Sequence, residues 1–70
     1  MVRIENKQEI TLDNLYQNGI SFFTNNKNDF KIVCYKNQMG VYIYELYIYE
    51  NGYKWFNAYK SVDTLLNKIL

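Results

Sequence analysis

The sequence predicts an α+β domain: a small antiparallel β-sheet of three to four strands, with a C-terminal helix packed on one face and a short N-terminal helix. Three observations predict it. First, Asn51-Gly52 interrupts the long aromatic and β-branched run from Val41 to Lys60. That dipeptide between two apolar runs is the strongest short-range hairpin signal, because a type I′ turn needs φ > 0 at both central positions. Second, Phe30 to Lys36 alternates, with Phe30, Ile32 and Cys34 on one side and Lys31, Val33 and Tyr35 on the other, as a strand does. Third, Ser61 to Leu70 reads as a capped amphipathic helix. The whole chain, residues 1–70, fits one domain.

Taken in order, Val2 and Ile4 alternate with Arg3 and Glu5, which suggests a short strand. Residues 2–12 accept two readings. Ile10 and Leu12 can return along Ile4 and Val2 as a first hairpin. Alternatively, Thr11 caps a helix in which Leu12, Leu15 and Tyr16 recur at i, i+3 and i+4. The preferred reading is a helix from Leu12 to Asn18. Gly19 then serves as its C-cap, with Ile20 packing back. Ile20 to Thr24 reads as a strand, and the polar run Thr24 to Asp29 as a solvated loop.

The turn before Gly40 decides which face of the sheet is core. A four-residue loop, Asn37 to Gly40, sets Phe30, Ile32 and Cys34 beside Ile43, Tyr47 and Phe56. A three-residue loop, Gln38 to Gly40, sets them beside Tyr44, Leu46, Ile48 and Trp55. A one-residue slip moves every side chain to the opposite face, and Gly40 suits both loops. In the terminal helix, Ser61 is the N-cap, Asp63 lies in the first turn and Lys68 in the last, as the helix dipole prefers. Val62, Leu65, Leu66, Ile69 and Leu70 form its apolar stripe.

If Asn51 and Gly52 alone form the hairpin loop, Glu50 faces Tyr53, Ile48 faces Trp55, Leu46 faces Asn57 and Tyr44 faces Tyr59. One face then carries Tyr42, Tyr44, Leu46, Ile48, Tyr53, Trp55 and Tyr59. The other carries Val41, Ile43, Glu45, Tyr47, Tyr49, Phe56 and Ala58. Neither face is polar, whereas a sheet over a single core alternates apolar-in and polar-out. An apolar face left without a helix is therefore the functional expectation. The expected partner-binding residues are Tyr44, Tyr53, Trp55 and Tyr59, because Tyr and Trp are enriched at interface hot spots.

Composition narrows the classes. The net charge is +1, which gives no electrostatic footprint for a phosphate backbone or an anionic membrane. No run approaches the ~18 apolar residues of a membrane span, and residues 1–7 lack the apolar stretch of a signal peptide. With no His there is neither the usual general base nor the commonest metal ligand. Cys34 is the only cysteine, which excludes an internal disulfide and suits a reducing cytoplasm. It reads as a buried strand thiol, with no His to activate it. Glu45 and Glu50 lie on opposite faces of one strand and cannot share an acid/base site. No cofactor motif is present, and the chain reads as a non-enzyme. Asn, Lys, Ile and Tyr supply 32 of the 70 residues, a bias that points to an AT-rich phage, mobile-element or bacterial genome.

The expected function is a small non-catalytic protein-binding module, a phage or mobile-element inhibitor or regulator, docking its aromatic face on a protein partner or on a second copy. A self-associating structural protein is one alternative. Nucleic-acid binding is another, because aromatics on a sheet stack exposed bases and Lys31, Lys36, Lys54 and Lys60 border the strands.

Two resemblances bear on that alternative. The order helix, three strands, helix from Leu12 to Leu70 is similar to a double-stranded-RNA-binding domain. That family's basic cluster at the start of the last helix has no counterpart beyond Lys60, before Ser61-Val62-Asp63. Gly52 to Lys60, GYKWFNAYK, resembles the hairpin segment of phage KilA-N domains, over under a sixth of the chain and without the helices that follow there.

Overall fold

A computed structural model describes residues 2–70. The elements run β1 (Val2–Ile4), a 3-10 turn (Lys7–Glu9), α1 (Leu12–Asn18), β2 (Ile20–Thr24), β3 (Asp29–Lys36), β4 (Tyr42–Tyr49), β5 (Tyr53–Tyr59) and α2 (Val62–Ile69). All five strands form one sheet in chain order. The sheet is α+β with a C-terminal helix, as predicted, but it has five strands rather than three to four. It is also mixed, since β1 runs parallel to β2 while the other neighbours are antiparallel. Residues 2–12 are thus strand then helix, not a hairpin. Parallel neighbours need a crossover of a dozen or more residues, and the segment carrying α1 supplies it. β1 has three residues and buries only Ile4, so its alternation is too short to stand out.

The local chemistry of each helix end explains its boundaries. Thr11 Oγ1 accepts the Asn14 N–H at 3.2 Å, and Gly19, at φ 73°, donates its N–H to the Leu15 carbonyl. Ser61 Oγ accepts the Thr64 N–H at 3.2 Å at the start of α2. The solvated loop is shorter than the polar run suggests, because Thr24 and Asp29 pair as strand ends. Within it, Asn25 Oδ1 accepts the N–H groups of Lys27 and Asn28, both at 2.8 Å. Asn25 Nδ2 also donates to the Ile69 carbonyl at 2.8 Å, tying the loop to the end of α2.

The turn between β3 and β4 settles the core face. Asn37 N–H donates to the Val41 carbonyl, so the loop is the three-residue one, Gln38 to Gly40. Asn37 Oδ1 accepts the Met39 and Val41 N–H groups at 2.9 Å, and Gly40 takes φ 80°. Phe30, Ile32 and Cys34 consequently lie opposite Ile48, Leu46 and Tyr44.

The second hairpin differs from expectation at its tip. Tyr49 pairs with Tyr53, Ile48 with Lys54 and Tyr47 with Trp55. The loop is therefore Glu50-Asn51-Gly52, with Asn51 at φ 58° and Gly52 at φ 117°, rather than Asn51-Gly52 alone. Nearer the base, Leu46 pairs with Asn57 and Tyr44 with Tyr59, as predicted. A β-bulge at Phe56 absorbs the one-residue difference between the two halves. Tyr53 and Trp55 change faces because of it.

One core results. Ile4, Ile10, Leu15, Phe23, Phe30, Ile32, Cys34, Tyr44, Leu46, Leu65 and Ile69 are buried together. Every sheet residue among them belongs to a single face, so α1 and α2 cover the same side. Leu15, Ile32, Leu46, Leu65 and Ile69 are fully enclosed. Each such side chain contributes about 1.5–3 kcal/mol on burial. The buried Ser21 hydroxyl accepts from Asn18 Nδ2 at 3.2 Å, which satisfies it beneath α1.

Leu15→Ala or Leu65→Ala should each cost about 2–5 kcal/mol, which is most of what a core this size supplies. Leu65→Asp should leave the chain unfolded, because it buries an unpaired charge. Tyr49→Ala, on the far face, should change stability by only about 0.5 kcal/mol. Urea unfolding followed by far-UV circular dichroism checks all four, and a cooperative transition unmoved by Leu65→Asp would contradict the assigned core.

Candidate functional site: the uncovered aromatic face

The face opposite the helices is laid out by the strand registers. Thr24, Asp29, Tyr49 and Tyr53 form a row nearest the hairpin tip. Phe22, Lys31, Tyr47 and Trp55 form the next, and Ile20, Val33, Glu45 and Ala58 the third. Tyr35 and Ile43 close the far end. Nine of these fourteen side chains are aliphatic or aromatic beyond alanine. No helix lies over them.

The polar groups on this face answer one another. The Tyr35 hydroxyl donates to Glu45 Oε2 at 2.9 Å, and the Tyr47 hydroxyl donates to Glu45 Oε1 at 3.1 Å. Both carboxylate oxygens are thereby engaged. Lys31 Nζ sits over the Tyr47 ring, 4.3 Å from its centroid, and 5.7 Å from that of Tyr53. Cation–π contacts of this kind hold a cation without a carboxylate. At the edge, Arg3 Nη1 donates to Thr24 Oγ1 at 2.8 Å, and Thr24 Oγ1 donates to Asp29 Oδ1 at 2.6 Å.

The rings are packed against each other rather than laid flat. Tyr49 meets Tyr53 edge-on, with centroids 5.2 Å apart and planes at 75°. Phe22 meets Tyr53 at 5.4 Å and 52°. Edge-to-face geometry is what ring quadrupoles favour, and it corrugates the surface. Trp55 is the most exposed of these rings, with 57% of its surface accessible.

The four predicted contact residues divide between the two faces. Tyr53 and Trp55 stand on the uncovered face. Tyr44 is 3% exposed in the core, and Tyr59 packs against that core from β5. The bulge at Phe56 separates the two pairs. Phe56 itself, expected on the second face, is reached by Lys68 of α2, whose Nζ lies 4.6 Å from its ring centroid. Ile20 begins β2 opposite Val33 and is exposed on the uncovered face, rather than packing back on α1. Phe22 and Tyr35, which sequence reasoning did not single out, share the uncovered face, as does Lys31, named there only among the lysines bordering the strands. The flanking of Glu50-Asn51-Gly52 by Tyr49 and Tyr53, an aromatic cross-strand pair, is the signal that identifies the longer loop.

The lysines do not line one groove. Lys31 is on the uncovered face, whereas Lys36 lies over the Tyr42 ring on the helix side, at 5.0 Å. Lys54 pairs with Ile48 on that same side. Cys34 is buried, and burial pushes its thiol above the ordinary cysteine value. Among the described residues no group of three or more His, Cys, Asp or Glu side chains is placed to hold a metal ion. No helix among them is long and apolar enough to cross a membrane.

The hydrogen bond to Glu45 raises the Tyr35 phenol above its ordinary value, with lesser effects of burial and of the carboxylate charge. Tyr47 is raised mainly by burial, then by its own bond to Glu45. Both donate only while protonated. The folded protein therefore holds these protons to higher pH than the unfolded chain. Their contribution is full below the ordinary tyrosine value of about 10 and is lost as pH rises through the folded midpoints. Glu45→Gln should lower the alkaline midpoints of Tyr35 and Tyr47. Tyr44 should stay raised, since burial is its main cause. Tyrosinate absorbance across an alkaline titration reads this, and no change on Glu45→Gln would contradict the assigned pairings. Compared with family models, curated proteins and solved structures, the chain matches none, so the reading of this face rests on its own chemistry.

Proposed function

We propose that this protein is a small non-catalytic protein-binding module that docks through its uncovered sheet face. The observation that carries the reading is an aromatic-rich face, from Ile20 to Trp55, with Lys31 and Glu45 set among its side chains and neither helix over it. Contiguous apolar patches beyond a few hundred Å² on small monomers usually mark interaction sites. Tyr47, Tyr49, Tyr53 and Trp55 form the contact centre, with Phe22, Val33 and Ile43 filling between strands. This set keeps Tyr53 and Trp55 from the sequence-based expectation and replaces Tyr44 and Tyr59.

The polar layout supports a protein partner over a nucleic acid. Arg3 and Lys31 are matched on the face by Asp29 and Glu45, so no basic stripe tracks a phosphate backbone. Tilted, mutually packed rings also offer fewer free faces for bases to stack on. The composition supports an accessory role, as inhibitor or regulator, in a phage or mobile element, and the buried lone thiol suits a reducing cytoplasm.

Immobilised protein should capture a specific protein from bacterial extract. The double variant Tyr47→Ser, Trp55→Ser should lose it, since truncating an interface hot spot typically costs about 2 kcal/mol or more. Equal capture by a folded double variant would defeat the reading. Single- and double-stranded DNA and RNA, titrated at low salt, should show no binding. Affinity that falls steeply with salt would transfer the face to nucleic acid.

A further inference from the structure

We infer that the uncovered face takes an arginine side chain from a protein partner, its guanidinium set on Glu45, above Ala58 and beside the Trp55 ring. The inference rests on the docking reading above and names what the partner supplies. Its basis is the charge left at the centre of the face. Glu45 accepts from the Tyr35 and Tyr47 hydroxyls, at 2.9 Å and 3.1 Å, and both donors are neutral. They fix where the carboxylate stands without cancelling its charge. A carboxylate offers about four lone-pair sites, so acceptor capacity remains for a further donor. Lys31, diagonal to Glu45 across the β3–β4 pair, balances it in number but lies over the Tyr47 ring, 4.3 Å from its centroid. Asp29, the other carboxylate of the face, is linked to Arg3 through Thr24. An apolar partner without a cation would bury the Glu45 charge unpaired, which is the costly outcome.

The surroundings select the kind of cation. Glu45 pairs directly with Ala58, the smallest side chain on the face, and the neighbouring pair is Tyr47 with Trp55. The gap over Ala58 therefore has a carboxylate on one side and, one row away, the most exposed ring of the face. Diagonal positions across an antiparallel pair lie about 7–8 Å apart, a span that one guanidinium bridges. Arginine suits both neighbours. Its planar fork gives parallel bonds to a carboxylate and its flat side stacks on an aromatic ring, whereas a lysine ammonium is a strongly hydrated point charge. Lys31 stands on the β3 side of Glu45 and the gap on the β5 side, so the incoming cation is not set against it. The chain's only arginine, Arg3, is bonded to Thr24 at the β1 edge, which points to a different protein as the source of the guanidinium.

Trp55 is the only tryptophan and reports on the gap directly. Its emission should be followed while a capped Leu-Arg-Leu-Arg-Leu peptide is titrated into the full chain. The titration is repeated with citrulline, a neutral urea of the same shape, in place of arginine. The arginine peptide should shift the emission saturably, and the citrulline peptide should bind more weakly by about tenfold or more. Glu45→Gln should cost the arginine peptide a similar factor and leave the citrulline peptide unchanged, so that the variant no longer tells the two apart. Asp13→Asn removes the same charge from the first turn of α1, on the covered side, and should bind both peptides as the wild type does. Equal affinity of the wild-type protein for the two peptides overturns the proposal without any variant, which covers the case in which Glu45→Gln fails to fold. A loss in Asp13→Asn as large as in Glu45→Gln overturns it too, because the effect is then one of net charge. Binding of neither peptide also overturns it, and a doubled mass in light scattering then gives the face to a second copy. Capture from extract that depends on Tyr47 and Trp55 but is indifferent to Glu45→Gln overturns the arginine and keeps the docking reading.

Discussion

The structure depends on how few helical residues this chain has to cover a five-stranded sheet. α1 and α2 are seven and eight residues long. Leu15 and Leu65, with Ile69, converge on the sheet residues Ile32 and Leu46, and all five are fully buried. A domain of this size buries only about 60% of the surface its unfolded chain exposes. Splitting the helices between two faces would leave two half-filled cores. Placing both on one face builds a single complete one and leaves the other face bare.

The elements legible in the sequence are those with a local chemical signature. Thr11, Gly19 and Ser61 mark helix ends through side-chain or backbone bonds within a few residues, and α1 and the start of α2 lie where those residues place them. β3 and β4 carry long alternations. β1 was the least legible strand, because three residues with one buried side chain have no period to read. Its parallel pairing comes from the α1 crossover, a tertiary fact. The facing of the four residues named from the sequence is half legible for a related reason. Face assignment in β5 depends on one residue, and the Phe56 bulge reverses it between Trp55 and Asn57. Asn51-Gly52 announces a turn, but whether Glu50 joins the loop is decided by the Tyr49–Tyr53 pair across it.

The sheet edges are protected where the face is not. Edge strands offer unpaired backbone groups to any passing strand, and proteins blunt them with short length, lysines and bulges. β1 is three residues long. β5 carries Lys54 and is flanked by Lys60, and the bulge at Phe56 breaks its regular ladder. Such devices oppose edge-to-edge pairing. The uncovered face has no equivalent: its lysine is folded down over Tyr47 instead of projecting as a guard.

That contrast bears on what the bare face is for. Solvent-facing sheets in antiparallel folds usually carry polar side chains, which cost nothing to hydrate. Here the same positions carry Ile20, Phe22, Val33, Ile43 and four tyrosines besides Trp55, in a chain with a thin stability margin. Cross-strand packing among these rings accounts for part of this, since aromatic pairs on a pleated surface contribute roughly 0.2–1 kcal/mol each. Even so paired, Trp55 remains 57% exposed and Tyr49 51%. Such packing does not require Glu45 to spend both oxygens on tyrosine hydroxyls rather than water. A carboxylate needs hydrogen bonds most where water is scarce, because an unsatisfied charge is costly there. The Tyr35 and Tyr47 hydroxyls hold both oxygens of Glu45 within the face, while the carboxylate keeps its charge, which neutral donors do not cancel.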